Sequence, residues 1–206
     1  MVHIFIIFVT SILNLISKGL MREEIEKAIE TLKQGGLILY PTDTVWGIGC
    51  DATNANAVQK VYKLKQREDD KALICLVNNY SMLERHVDNV PKIAYTILDI
   101  ADKPTTVIYD APAGIAENLV AKDNTLAIRI VNHDFCEKLI KYFGKPIVST
   151  SANISGQPTP KSFKEISEAV LKGVDYVVNL HQQKNGGNPS TIIKLSNSGQ
   201  VKVIRE

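Results

Sequence analysis

Leu37-Ile-Leu-Tyr40, running directly into Pro41-Thr-Asp-Thr-Val-Trp-Gly-Ile-Gly49, is the stretch on which the fold turns. Four apolar residues without polar alternation describe a strand buried on both faces. The proline, the Thr-Asp-Thr run and the two glycines that follow are too turn-prone for regular structure throughout. Upstream, Ile25, Ala28, Ile29 and Leu32 recur at helical spacing between Arg22 and Lys33, and Gly35-Gly36 stops that helix. Downstream, Thr53 or Asn54 is placed to cap a second helix that turns Val58, Val61 and Tyr62 inward and ends near Gln66. The same alternation continues. A strand is expected over Ala72–Val77, a helical region over Ser81–Ala101, and strands over Thr105–Tyr109 and Thr125–Val131. A helix over His133–Phe143, a short buried strand over Pro146–Val148 and a helix over Ser162–Leu171 come next. A strand near Tyr176–Leu180 and a hairpin of Thr191–Leu195 with Gln200–Arg205, turning at Asn197-Ser-Gly199, close the chain. Strands alternating with helices, without repeats or a linker, imply one α/β domain.

The 206 residues are 45% apolar and 22% charged, the balance of an ordinary globule. With 24 basic against 22 acidic side chains, the net charge of +2 is too small for a protein that lives by phosphate-backbone contacts, so any nucleic-acid role is expected to come from a local patch or to be indirect. Cys50, Cys75 and Cys136 stand apart, which suits a reducing, cytoplasmic setting and argues against a disulfide or zinc framework. His3, His86, His133 and His181 are equally scattered, and no tightly bound metal is expected. Ile4–Ile16 is strongly apolar but shorter than the roughly 20 residues that a membrane span needs, and no cationic segment precedes it. Residues 1–20 therefore read as an N-terminal extension ahead of a start at Met21, against the rival reading of a membrane-proximal anchor, with 21–206 as the domain proper and no membrane partner expected.

Three segments carry chemistry. In Thr125-Leu-Ala-Ile-Arg129-Ile, strand periodicity puts Thr125, Ala127 and Arg129 on one face, and an arginine there is costly to bury unless it meets an anion. In Pro146-Ile-Val-Ser149-Thr-Ser151-Ala-Asn153-Ile-Ser-Gly156, a continuing strand aligns Ser149, Ser151 and Asn153 as a row of short neutral donors and acceptors. Such a row at the end of a buried strand sits where α/β sheets bind ligands. Lys63-Leu-Lys65-Gln-Arg67-Glu-Asp-Asp-Lys71 adds cations, although Glu68, Asp69 and Asp70 dilute them. Gly47-Ile-Gly49-Cys-Asp-Ala52 mimics a dinucleotide fingerprint, but Pro41, Thr42 and Asp43 stand where a smooth strand should precede it. Gly144-Lys145 lacks the rest of a phosphate-binding loop.

Tyr40-Pro-Thr-Asp-Thr-Val-Trp-Gly-Ile-Gly-Cys-Asp51, Lys63-Leu-Lys-Gln-Arg67 with Lys71, Leu126-Ala-Ile-Arg129 and Ser149-Thr-Ser-Ala-Asn-Ile-Ser-Gly156 occur in one order. From Met21 to the end the chain resembles the YrdC-like threonylcarbamoyl-AMP synthase family, in its short single-domain form. The resemblance implies a twisted mixed β-sheet flanked by helices, with a large concave site. It implies a nucleotidyltransferase that makes threonylcarbamoyl-AMP from L-threonine, bicarbonate and ATP, with Mg2+ on the ATP, for tRNA threonylcarbamoyladenosine formation. A separate tRNA threonylcarbamoyl-transferase complex is then the partner. Carried over by position, Lys65, Arg67, Ser151 and Asn153 form the catalytic polar tetrad. Thr44, Arg129 and Ser149 hold threonine, while Arg67, Lys71, Thr125 and Ser151 face ATP. The chain departs from the family pattern at Asp102-Lys-Pro104-Thr-Thr-Val107 and at Glu68-Asp-Asp70. The alternatives are an RNA-binding module using the same basic concavity and a carbamoyl-transfer domain.

Overall fold

The computed structural model describes residues 2–66, 73–183 and 186–206, with side chains from residue 15 onward. A long helix, α1 (Val2–Lys33), leads into β1 (Ile38–Tyr40), β2 (Gly47–Gly49) and α2 (Ala55–Lys65). β3 (Ile74–Val77), α3 (Tyr80–His86), α4 (Lys92–Ile100), β4 (Thr105–Asp110) and β5 (Thr125–Ile130) follow. The remainder is α5 (Asp134–Phe143), β6 (Ile147–Ser151), α6 (Glu168–Gly173), β7 (Tyr176–Val177), β8 (Thr191–Leu195) and β9 (Val201–Arg205).

The strands described form one mixed sheet in the order β7-β1-β2-β6-β3-β5-β4-β8-β9. Pairs β1/β7, β3/β5 and β4/β8 are parallel, and the other neighbours are antiparallel. β1 and β2 are buried at every position, as unalternated apolar strands should be. Close approach at β2 needs glycine. A Cβ on Gly49 would lie 2.7 Å from both the Tyr40 ring and the Val148 carbonyl oxygen.

The α2 helix shows how local signals place a functional side chain. Asn54 caps it, its side-chain oxygen accepting from the backbone N–H of Asn56 at 3.0 Å and Ala57 at 3.1 Å. Ala57, Val58, Val61 and Tyr62 then face the core, and Lys65 continues the same buried stripe on the last turn. Gln66, left-handed at φ 50°, ends the helix.

Four expectations need correction. α1 is not confined to Arg22–Lys33 but runs unbroken from Val2, because no proline and no capping side chain directly ahead of Met21 interrupts it. The helical region 81–101 is two helices: α3 ends where Val87 turns extended and pairs with Pro112, and α4 starts afresh after Pro91. The expected 162–171 helix is a 3-10 turn over Phe163–Glu165 followed by α6. Ser167 sets the new start by accepting from the Val170 N–H. β6 ends at Ser151, so Asn153 lies beyond the strand. No helix among the described residues is long and apolar enough to cross a membrane.

Candidate active site

Sheet register builds the floor of a cavity of about 290 Å3. Ser149 of β6 lies opposite Ile74 of β3, Ile74 opposite Ala127 of β5, and Ala127 opposite Ile108 of β4. All four line the cavity, so strand pairing alone draws one row across four strands. In the next row Ser151 faces Gly47. A Cβ on Gly47 would come within 3.1 Å of the Ser149 hydroxyl, so glycine there keeps room beside it.

Behind this floor lies Lys65, 2% exposed. Its ammonium donates to the Ser151 carbonyl at 2.5 Å, the Asn153 carbonyl at 2.7 Å and Asn153 Oδ1 at 3.1 Å. Three N–H donors thus have three close acceptors. The Ser151 hydroxyl donates to Asn153 Oδ1 at 2.6 Å, and Asn153 Nδ2 donates to the Gln157 carbonyl at 2.5 Å. Lys65 therefore fixes the backbone that follows β6, and its positive charge is delivered close to Ser151 without leaving the protein interior.

Arg129, 4% exposed, lies on the same face of β5 as Ala127 and lines the cavity. Its NH2 donates to Asp43 Oδ1 at 3.0 Å, an ion pair almost wholly withdrawn from water, and its NH1 donates to Thr44 Oγ1 at 3.3 Å. Its Nε is buried with no acceptor among the described residues. A buried guanidinium nitrogen lacking an acceptor is an invitation to an anionic oxygen. Thr42 braces the loop from below. Its hydroxyl lies 3.0 Å from that of Thr44 and donates to the Val45 carbonyl at 2.7 Å.

The opposite wall comes from the end of the chain: Ser190, Ile192, Ile204 and Arg205. Arg205 donates through NH2 and Nε to the Ser190 carbonyl at 2.7 and 3.1 Å. No carboxylate pairs with it among the described residues. Burial, and after it the positive charge of Arg129, lowers the pKa of its guanidinium. Thr106 and Ser190 complete a buried hydroxyl pair at 2.8 Å.

Of the residues expected at the site, Thr44, Arg129, Ser149 and Ser151 line this one cavity, and Lys65 and Asn153 knot its edge. Thr125 opens β5 two residues before Ala127, is not among the lining residues, and donates its hydroxyl to Asp123 at 2.7 Å. Arg67 and Lys71, with Glu68, Asp69 and Asp70, lie outside the described residues. Gly47-Ile-Gly49 is strand, not a phosphate-binding turn. Asp43, Ser190 and Arg205 were not singled out from sequence. Asp43 sits inside the quoted Pro-Thr-Asp-Thr segment, but nothing local distinguishes a partner for Arg129 from a turn residue. A larger groove of about 760 Å3 runs between α1 and α5. Four of its charged side chains, Arg22 with Glu26 and Lys138 with Asp134, are bound to one another as exposed one-turn helix pairs, and the rest of its lining is largely apolar apart from Ser17, Lys18 and Tyr142.

Residues 30–206 match the Sua5/YciO/YrdC domain family, described as "Telomere recombination". This chain belongs to that family. A threonylcarbamoyl-AMP synthase of Pseudoalteromonas translucida is 39% identical over 175 residues, covering 82% of this chain and 91% of the relative. Among solved structures, YciO of E. coli superposes with a TM-score of 0.78 at 25% identity, covering 90% of this chain and 89% of that one. Sua5 of P. abyssi, solved in complex with L-threonine, gives 0.74 at 28% identity over 83% of this chain. The chain spans half the length of that Sua5. The mixed sheet and its concave site are therefore the family's architecture, and the cavity above lies within the matched residues.

Proposed function

We propose that the chain is a threonylcarbamoyl-AMP synthase, a nucleotidyltransferase acting in the cytoplasm on L-threonine, bicarbonate and ATP. The observation that carries this reading is Arg129. It is a buried arginine held by Asp43 and Thr44, with one donor unmet, in the same cavity as Ser149, Ser151 and Arg205. The arrangement suits an amino-acid carboxylate at Arg129 and a polyphosphate towards Arg205. The threonine amine takes up bicarbonate carbon with loss of water, giving a carbamate. A carbamate oxygen then attacks the α-phosphorus of ATP, the bond to the β-phosphate bridging oxygen breaks, and pyrophosphate leaves with that electron pair. Such a step runs on alignment and charge stabilisation rather than on a covalent nucleophile. Ser149 and Ser151 orient oxygens by hydrogen bonds, while Lys65 and Arg205 offset developing charge. Magnesium enters as part of the ATP substrate. The product would pass to a tRNA threonylcarbamoyl-transferase complex, with tRNA touched at most weakly by this chain.

The test is pyrophosphate release by the purified chain with each substrate omitted in turn. Release is expected only when threonine, bicarbonate and ATP are all present, and threonine-independent release would overturn the assignment.

A further inference from the structure

The two arginines of the cavity differ in their counter-charges. Arg129 has Asp43 at 3.0 Å, with both side chains at least nine-tenths buried. Arg205, on the exposed strand β9, meets among the described residues only the neutral carbonyl and hydroxyl of Ser190. Asp43 is not itself among the lining residues, so it acts on any ligand through Arg129.

We infer that Asp43 is a specificity-determining residue, whose carboxylate neutralises Arg129 and so reserves that end of the cavity for a singly charged carboxylate while turning polyphosphate away. This rests on the proposed function, in which one cavity must hold both kinds of anion. The reasoning is a matter of how affinity varies with ligand charge. Each added negative charge on a ligand is attracted by Arg129 and repelled by Asp43 just behind it, so extra charge gains much less there than at an uncompensated guanidinium. At Arg205 no such cancellation operates, and a polyanion gains with every charge. What survives neutralisation at Arg129 is directional. The unmet Nε donor and the hydroxyls of Thr44 and Ser149 reward an oxygen correctly placed, whatever the ligand's total charge. Without Asp43, an uncompensated guanidinium beside two hydroxyls would be a good phosphate site, and ATP or pyrophosphate would compete for the amino-acid position.

The experiment is calorimetric titration of the full chain with L-threonine, in the presence and absence of saturating inorganic pyrophosphate, on wild type and on Asp43→Asn. In wild type, pyrophosphate is expected to change the threonine Kd by less than about twofold. In Asp43→Asn it is expected to raise the apparent Kd about tenfold or more, the scale of one missing unit charge at short range after screening. Equal insensitivity of the variant, or displacement of threonine by pyrophosphate in wild type, would overturn the inference. Should Asp43→Asn fail to fold by circular dichroism, the wild-type competition decides alone, with undisturbed threonine binding supporting the role and displacement refuting it. Failure of wild type to bind threonine at all would instead count against the proposed function.

Discussion

Two ion pairs on consecutive elements make a useful contrast. On α5, Lys138 meets Asp134 at 2.6 Å, both side chains largely in water at 42% and 62% exposure. On β5, Arg129 meets Asp43 at 3.0 Å, at 4% and 8%. The shorter contact is the weaker one. In water the two ions of α5 exchange solvent for each other at almost no gain, whereas those of β5 have given up solvation and depend on each other. The same division separates Lys65, enclosed by acceptors, from the lysines at positions 27 and 172 on the outer helices. Inside this molecule a charge is present because a specific set of oxygens needs it; outside it is largely interchangeable.

The contrast can be broken most severely at Arg129→Ala, which strands Asp43 in the interior. We expect a loss of about 3 kcal/mol or more in folding free energy by chemical denaturation, together with loss of threonine binding. A stability change near that of a surface substitution would show that water already solvates the pair. Next, Lys65→Met keeps the aliphatic stem but leaves the Ser151 and Asn153 carbonyls without their donor. A destabilisation of about 2 kcal/mol is expected, with pyrophosphate release reduced more than folding alone accounts for. On the other side of the comparison, Lys138→Ala should alter stability by no more than about 0.5 kcal/mol, an effect that fades further with added salt. A larger, salt-insensitive cost would erase the distinction. The smallest effect concerns the thiols. Burial pushes the Cys75 thiol up to about 12 and raises those of Cys50 and Cys136 as well. Only the thiolate reacts, so at pH 8 the native chain should resist alkylation at all three and take up reagent only when unfolded, as read by mass spectrometry.

Much of this was legible in the sequence because the information was local. The apolar run at residues 37–40, the Asn54 cap and the alternation around Arg129 each express a rule that acts over a few residues, and each appears where expected. The two-residue spacing of Ser149 and Ser151 correctly put both on the cavity wall. Asn153 reached the site by another route, through a hydrogen-bonded turn held by Lys65 rather than by strand register. What escaped was non-local. Which carboxylate would face Arg129 is settled by a contact across 86 residues, and the face on which Arg205 points depends on how β9 pairs with β8. The break between α3 and α4 is also non-local: Val87 leaves the helix to pair with Pro112, a contact that helical periodicity over residues 81–101 does not register.

Sheet order carries one further consequence, for biogenesis. β6 sits between β2 and β3 in space yet is made long after both, so the centre of the sheet stays open until late in the chain. Arg129 waits for no later partner, but the wall opposite it arrives with the final residues, and the Lys65 knot closes across 86 and 88 residues. Long closures of this kind slow folding. A ribosome-bound fragment that stops short of β8 would hold half a pocket, and threonine capture would then serve as a reporter that the last strands have docked.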